Sequence, residues 1–383
     1  MNARWTRRRF LQAAGAGVAA SALPRALFAA GGKEGKTKRV VLVAFAGGVR
    51  SRETIGTPAN VPNLTKLASE GVLLPNVATQ NVGHYGAALS LFTGCVEVKG
   101  IRENARGSNP TIFEVLRRER NLPANQVWLS ATGGPQALNY AYSLHPDFGA
   151  RFGANLISGD GIFNAEFQSI LDQFGRPKEK PPAERELLER LRGALEPVAG
   201  GPAEIGNDPE AGARIERFIL EELTRGSATR STGPGAQDGK ALRVALNILR
   251  VFKPTLLGIH LGDCDVAHRS FNNYVEVIRR NDEALGQVFE AVRADEELRA
   301  TTAILVCPEF GRDRDLNERN GLDHGDGSED LQRIAAVAWG PDFKKGKTLG
   351  ERVEWTALAP TVASLFGVKV PTSPSKPIRA LLA

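Results

Sequence analysis

Short runs of consecutive apolar residues recur along the chain. Lys38–Phe45 (KRVVLVAF) is rich in β-branched residues and opens into Gly47-Gly48, the pattern of a strand buried on both faces that enters a loop. Val72–Val77, Gln126–Ala131, Thr255–Leu261, Thr302–Cys307 and Ile334–Trp339 read as further strands. Between them the apolar positions change to helical spacing. Asn63–Glu70 puts Leu64, Leu67 and Ala68 on one face and stops at Gly71, and Gly86–Thr93 stops at Gly94. Thr111–Glu119, Leu242–Phe252 (stopped by Pro254), the long Phe271–Arg293 and Trp355–Phe366 complete the set. Strands alternating with helices predict an α/β fold: a mostly parallel central sheet with helices on both faces.

The pattern breaks over residues 173–240, which are rich in Pro, Gly and charge. Two amphipathic helices, about Ala183–Leu195 and Ala213–Thr224, lie inside it. The segment reads as a helical insertion with flexible joints, either a cap over a site or surface decoration.

Composition narrows the class. With 42% hydrophobic and 24% charged residues in 383, disorder and fibrous folds are excluded. No apolar run in the body is long enough for a membrane span. Cys95, Cys264 and Cys307 have no CxxC spacing, so neither a zinc ribbon nor a disulfide scaffold is indicated. The net charge of +6 is misleading. Arg4, Arg7, Arg8, Arg9 and Arg25, with no acid among residues 1–30, carry +5 of it. A nearly neutral body with no basic stripe excludes nucleic acid as the partner.

That basic start precedes an Ala/Gly-rich stretch and small residues at Ala29-Ala30, the order of an export signal. Thr6-Arg7-Arg8-Arg9-Phe10-Leu11 resembles a twin-arginine signal. The resemblance implies removal of residues 1–30, a periplasmic or otherwise exported body of residues 31–383, and a membrane role confined to export.

Polar residues gather where the strands end, and ligands of open α/β sheets bind outside the carboxyl ends of strands. Asp263-Cys264-Asp265-Val266-Ala267-His268 follows Thr255–Leu261. Pro308-Glu309-Phe310-Gly311-Arg312-Asp313 follows Thr302–Cys307, and Asp323-His324-Gly325 comes shortly after. Carboxylates and imidazoles on converging loops suit a divalent cation, zinc above all. Each piece has a plainer reading. Asp265 and His268 fit a helix-start carboxylate as well as a ligand pair. Glu309 and Asp313 fit ion pairs with Arg312, and His84 fits a packed core histidine. His145 and His260 lack acidic neighbours and read as structural, and the cysteines as buried inert thiols.

The order of these pieces is the stronger signal. VVLVAFAGGVR, NLTKLASEGVLLPNVATQ, LSLFTG, DCDVAHRSFNNYVEVIRRNDEALG, TAILVCPEFGRD and LDHGDG, in that sequence, resemble the alkaline phosphatase superfamily in its sulfatase-like and phosphodiesterase-like branches. The resemblance covers most of residues 38–125 and 240–370. It implies two neighbouring metal positions. One falls on Asp263 or Asp265 with His268 and His324. The other departs from the family's pattern: the acid ending the first strand is Ala46, the nucleophile's position falls on His84, and the Asp-His pair is Glu309-Phe310. Phenylalanine offers no ligand atom. One ion is therefore expected rather than two, unless Glu309 with Glu53 or Asp313 rebuilds the second position.

The resemblance implies a metal-dependent hydrolase of phosphate or sulfate esters, on small molecules or glycans. Without a carboxylate at 46 or a hydroxyl at 84 the family's covalent route is closed. His84 as nucleophile, a single ion with Glu309 or His84 as base, and a non-catalytic member that binds or scaffolds remain as readings.

Overall fold

The computed structural model describes residues 35–99, 104–133, 136–158, 209–226 and 232–383. The export segment, the helix expected at 183–195 and most of the 173–240 insertion lie outside them. The strands are β1 (Arg39–Phe45), β2 (Val72–Ala78), β3 (Val127–Ala131), β4 (Asn155–Ser158), β5 (Leu256–Leu261), β6 (Thr302–Pro308), β7 (Arg333–Trp339), β8 (Lys347–Thr348) and β9 (Val353–Glu354). They form one sheet in the order β4-β3-β5-β1-β6-β7-β2-β8, with β9 also paired to β2. Every neighbouring pair is parallel except those that β7 makes with β6 and β2. The connection from β6 to β7 carries only a four-residue helix, Glu329–Gln332, too short to serve as a crossover, and β7 returns beside β6 antiparallel to it. The fold is the expected α/β arrangement, mostly parallel.

β1 shows why its sequence forms a central strand. Val41, Val43 and Phe45 enter one core and Val40, Leu42 and Ala44 the other, because successive side chains point to opposite faces. The first core takes α1 (Pro62–Glu70), part of α4 (Pro209–Gly226), α5 (Ala236–Phe252) and α6 (Phe271–Ala294). The second takes α2 (His84–Thr93), α3 (Ile112–Glu119) and α7 (Leu358–Leu365).

Local chemistry sets the helix limits. Thr111 caps α3 in a capping box with Glu114. Gly94, at φ +69°, closes α2. α1 has no capping side chain of its own; Asp282, reaching from α6, accepts from Asn63 N (2.9 Å) and Leu64 N (2.8 Å). The helix expected over Trp355–Phe366 begins as a 3-10 turn, Trp355–Ala357. Pro360 is accommodated in the first turn of α7, where its missing N–H has no intrahelical partner to lose. The second insertion helix is longer than its apolar pattern, with Pro209 opening α4 and Gly226 ending it.

The register places the chemistry. Phe45 pairs with Leu261 on one side and Pro308 on the other. The carboxyl ends of β5, β1 and β6 are thus level and adjacent, and the loops that follow them share one edge of the sheet.

Candidate metal centre

Four side chains meet at that edge. One ligand atom each from His84, Asp265, His268 and His324 lie within 4.8 Å of one another. His84 opens α2, Asp265 and His268 ride the 3-10 turn Asp263–His268 after β5, and His324 comes from the loop between β6 and β7. The 3-10 geometry explains which aspartate takes part. Residues i and i+3 of such a turn eclipse, so Asp265 shares a face with His268, its Oδ1 3.3 Å from Nε2. Asp263 does not join them. Its Oδ2 accepts from Gln237 N (2.9 Å) and Asp238 N (3.0 Å) at the start of α5, where a helix end favours negative charge. Of the two aspartates left open by the sequence, Asp263 therefore stands at a helix N-terminus instead.

Two of the histidines are held by carboxylates through Nδ1. Glu309 Oε1 lies 2.5 Å from His84 Nδ1 and also accepts from Gly47 N at 2.9 Å. Asp323 Oδ1 lies 2.5 Å from His268 Nδ1. Each carboxylate favours the tautomer with the proton on Nδ1, which turns the Nε2 lone pair toward Asp265. A carboxylate behind the outer nitrogen is the usual support of a metal-ligating histidine. His84 Nε2 is 2.8 Å from Asp265 Oδ1, yet it is buried and makes no hydrogen bond of acceptable geometry. Three imidazole nitrogens and one carboxylate oxygen fit zinc's usual four ligands.

Phe310, fully buried, packs its ring 4.8 Å from His84 and 5.2 Å from His324. It fixes two ligands and supplies none. Ala46, equally buried, also supplies none. Glu53 is committed to Arg50 through both oxygens (2.6 and 2.7 Å). Asp313 Oδ1 accepts from Gly325 N (2.6 Å) and Asp326 N (2.9 Å). Among the described residues, none of these side chains is placed to hold a second ion.

The electrostatics follow from these contacts. Burial alone would lower the His84 pKa, but the charge and hydrogen bond of Glu309 and the close carboxylate of Asp265 outweigh it and raise the pKa to about 9. Burial alone would raise the Asp265 pKa, and the contacts with His84 and Arg312 instead hold it well below the usual carboxylate range. His324 is lowered to about 4 by burial and by the charges of His84, Arg312 and His268. His260 stacks on Tyr140 at 4.6 Å, and burial lowers it to about 4.

Arg312 was not legible as part of the site. It pairs with neither Glu309 nor Asp313. Its wholly buried guanidinium donates to Asp265 Oδ1 at 2.6 Å. Arg312 is one of three arginines in an acidic loop, with Arg314 and Arg319, and nothing in the sequence separates it from them. Asp323 stands beside His324 in LDHGDG, and nothing in that motif marks it as the support of His268.

No family model matches the chain, and no curated protein is detectably similar to it. Solved structures are similar in fold. Wild-type alkaline phosphatase PafA superposes with a TM-score of 0.57 over 91% of this chain and 99% of its own, at 12% identity. The sulfatase PsFucS1 of Pseudoalteromonas sp. gives 0.52 over 92% and 73%, at 14% identity. A Bacteroides thetaiotaomicron protein of glycosaminoglycan metabolism gives 0.56 over 91% and 82%, at 13% identity. The chain thus has an alkaline-phosphatase-like fold.

Proposed function

We propose that the chain is an exported hydrolase of phosphate or sulfate esters, borne by small molecules or glycans, built on one divalent ion. The observation that carries the reading is the convergence of two carboxylate-supported histidines, His84 and His268, on Asp265 and His324. The folds shared with a phosphatase and a sulfatase support the substrate class by analogy alone. Zinc, when bound, supplies Lewis acidity toward an ester oxygen. The chain's residues do the rest. Glu309 fixes the His84 ring through Oε1, while Oε2, buried and without a hydrogen-bond partner, is the atom assigned to take the proton of an attacking water. His84 is not the nucleophile in this reading. Both ring nitrogens face carboxylates, and in the ion-free protein its raised pKa keeps it protonated.

The test is turnover of an aryl phosphate, an aryl phosphodiester and an aryl sulfate by the purified protein. Activity on one of them should vanish with a chelator, return with zinc, and be absent in His268→Ala. Activity untouched by His268→Ala refutes the reading. A second reading, a non-catalytic binding member of the fold, is favoured by Ala46, Phe310 and the missing hydroxyl at His84. It predicts an ion-loaded, folded protein inert on all three substrates. Export by the twin-arginine route is tested by Arg7→Lys with Arg8→Lys, which should leave the protein in the cytoplasmic fraction.

A further inference from the structure

Arg312 is a wholly buried charge at the sheet edge, with no exposed side-chain surface. All five of its N–H groups have acceptors. Nε donates to Gly48 O (3.4 Å). Nη1 donates to Leu322 O (3.2 Å) and faces His268 Nε2 (3.0 Å). Nη2 donates to Gly47 O (2.5 Å) and Asp265 Oδ1 (2.6 Å). Three of these acceptors are backbone carbonyls, and two belong to the glycine pair after β1. Gly47 (φ +83°) and Gly48 (φ +68°) are both left-handed. A Cβ on Gly48 would lie 2.5 Å from Arg312 Nε, and one on Gly47 2.6 Å from Gly262 O. The Gly-Gly dipeptide therefore shapes a carbonyl cradle for this guanidinium, and only glycine lets the chain pass so close.

The other two contacts fall on Asp265 Oδ1 and His268 Nε2, atoms of the candidate metal centre. Charge completes the argument. Three carboxylates serve the centre: Asp265 as ligand, and Glu309 and Asp323 behind the histidines. One divalent ion and one guanidinium balance them, and two divalent ions would not do so with Arg312 in place. Arg319 also touches Asp323 (3.2 Å), but from an exposed position where solvent screens it.

We propose that Arg312 is the positioning residue of the centre: a built-in cation that aims Asp265 at one ion, gives up its contact with His268 Nε2 when that nitrogen takes the ion, and supplies the charge a second ion would otherwise bring. The inference rests on the one-ion reading above. Four of the five Arg312 donors are held by the carbonyls of Gly47, Gly48 and Leu322 and by Asp265, which makes it a positioning group and not a binder of the ester.

The experiment is a cobalt(II) titration of the chelator-stripped full chain, read by metal analysis and visible absorption instead of by turnover. Wild type should take one cobalt per chain even in several-fold excess. Arg312→Ala should bind roughly tenfold to a hundredfold more weakly, as when an outer partner of a ligand is removed, with an altered absorption spectrum. Added guanidinium, below denaturing concentration, should restore affinity and spectrum in Arg312→Ala and leave wild type unchanged. Arg312→Lys should stay weakened, because an ammonium keeps the charge but not the planar fork; it carries the test if circular dichroism shows Arg312→Ala to be misfolded. Two or more cobalts in wild type overturn the proposal. So does binding in both variants that matches or exceeds wild type, or a well-folded Arg312→Ala that guanidinium does not restore. No cobalt in wild type is a different failure, which removes the one-ion reading itself and this inference with it.

Discussion

In the ion-free protein His84 is expected to be an imidazolium at neutral pH, and that charge should hold the sheet edge together. Its ring is four-fifths buried between Glu309 Oε1 at 2.5 Å and Asp265 Oδ1 at 2.8 Å. The span from its ordinary 6.5 to about 9 corresponds to roughly 3 kcal/mol of folding free energy. The depressed pKa of Asp265 arises from the same contact and is not added to it. The folded-state pKa is the higher one. The contribution is therefore complete below pH 6.5 and is lost as pH rises through about 9. Urea unfolding of the chelator-treated protein at both ends of that range, for wild type and His84→Gln, measures it. Wild type should lose about 3 kcal/mol more than the variant between acid and alkaline ends. Parallel losses in the two proteins would refute the reasoning. The same proton bears on the ion, which must expel it from Nε2 to bind there. Calorimetry at neutral pH in two buffers of different ionisation heat should find about one proton released per ion. No release would place His84 outside the ligand set.

Three further outcomes are expected. His268→Ala should lose bound metal, read by elemental analysis, whereas His145→Ala, far from the cluster in the chain and absent from it in space, should keep it. Gly48→Ala should destabilise by at least about 1–2 kcal/mol from its left-handed φ alone, with more from the approach to Gly311 O at 2.8 Å; a loss within denaturation error would contradict the cradle. Asp282→Ala should cost about 1–2 kcal/mol, since it removes the carboxylate that caps α1 from outside its own sequence, and Asp282→Asn should recover part of that loss.

Which features were legible follows from what each depends on. β1, β5, β6 and β7 are buried on both faces, so they appear as unbroken apolar runs that need no knowledge of their neighbours. β8 and β9 are two residues each and exist through pairing with β2, so nothing in their composition marks them. β4, four residues long at the sheet's edge, falls below the length at which periodicity speaks. Two residues inside the motif DCDVAHRSFNNYVEVIRRNDEALG, Asp282 and Gly286, do structural work. Asp282 caps α1, and Gly286 leaves room for Asn63, whose Cγ would lie 2.5 Å from an added Cβ.

The site divides along the same line. His268, His324 and Asp265 lie in short local motifs at strand ends, where the connection between strand and loop already suggests convergence. The choice between Asp263 and Asp265 turned on whether the loop coils as a 3-10 turn, which spacing alone does not decide. The sequence offers Arg312 only as an ion-pair partner of Glu309 and Asp313, because three of its actual partners are carbonyl oxygens of Gly47, Gly48 and Leu322. A carbonyl carries no sequence identity; only backbone conformation aims it.

Ala46 and Phe310 each offer no ligand atom at the sheet edge. Taken with Arg312 they are mutually consistent. A carboxylate at 46 would enter a fully buried position beside the glycine cradle, where unbalanced charge is expensive. A guanidinium already occupies that neighbourhood, and its charge is spent on Asp265. With the cation supplied by the chain, the aromatic ring of Phe310 does for His84 and His324 what a second ligand set would do elsewhere: it holds their planes by packing. On the one-ion proposal the centre is organised around a single ion, with Arg312 as its second cation. Binding of that ion is what decides whether His84, Asp265, His268 and His324 should be assayed as a working site.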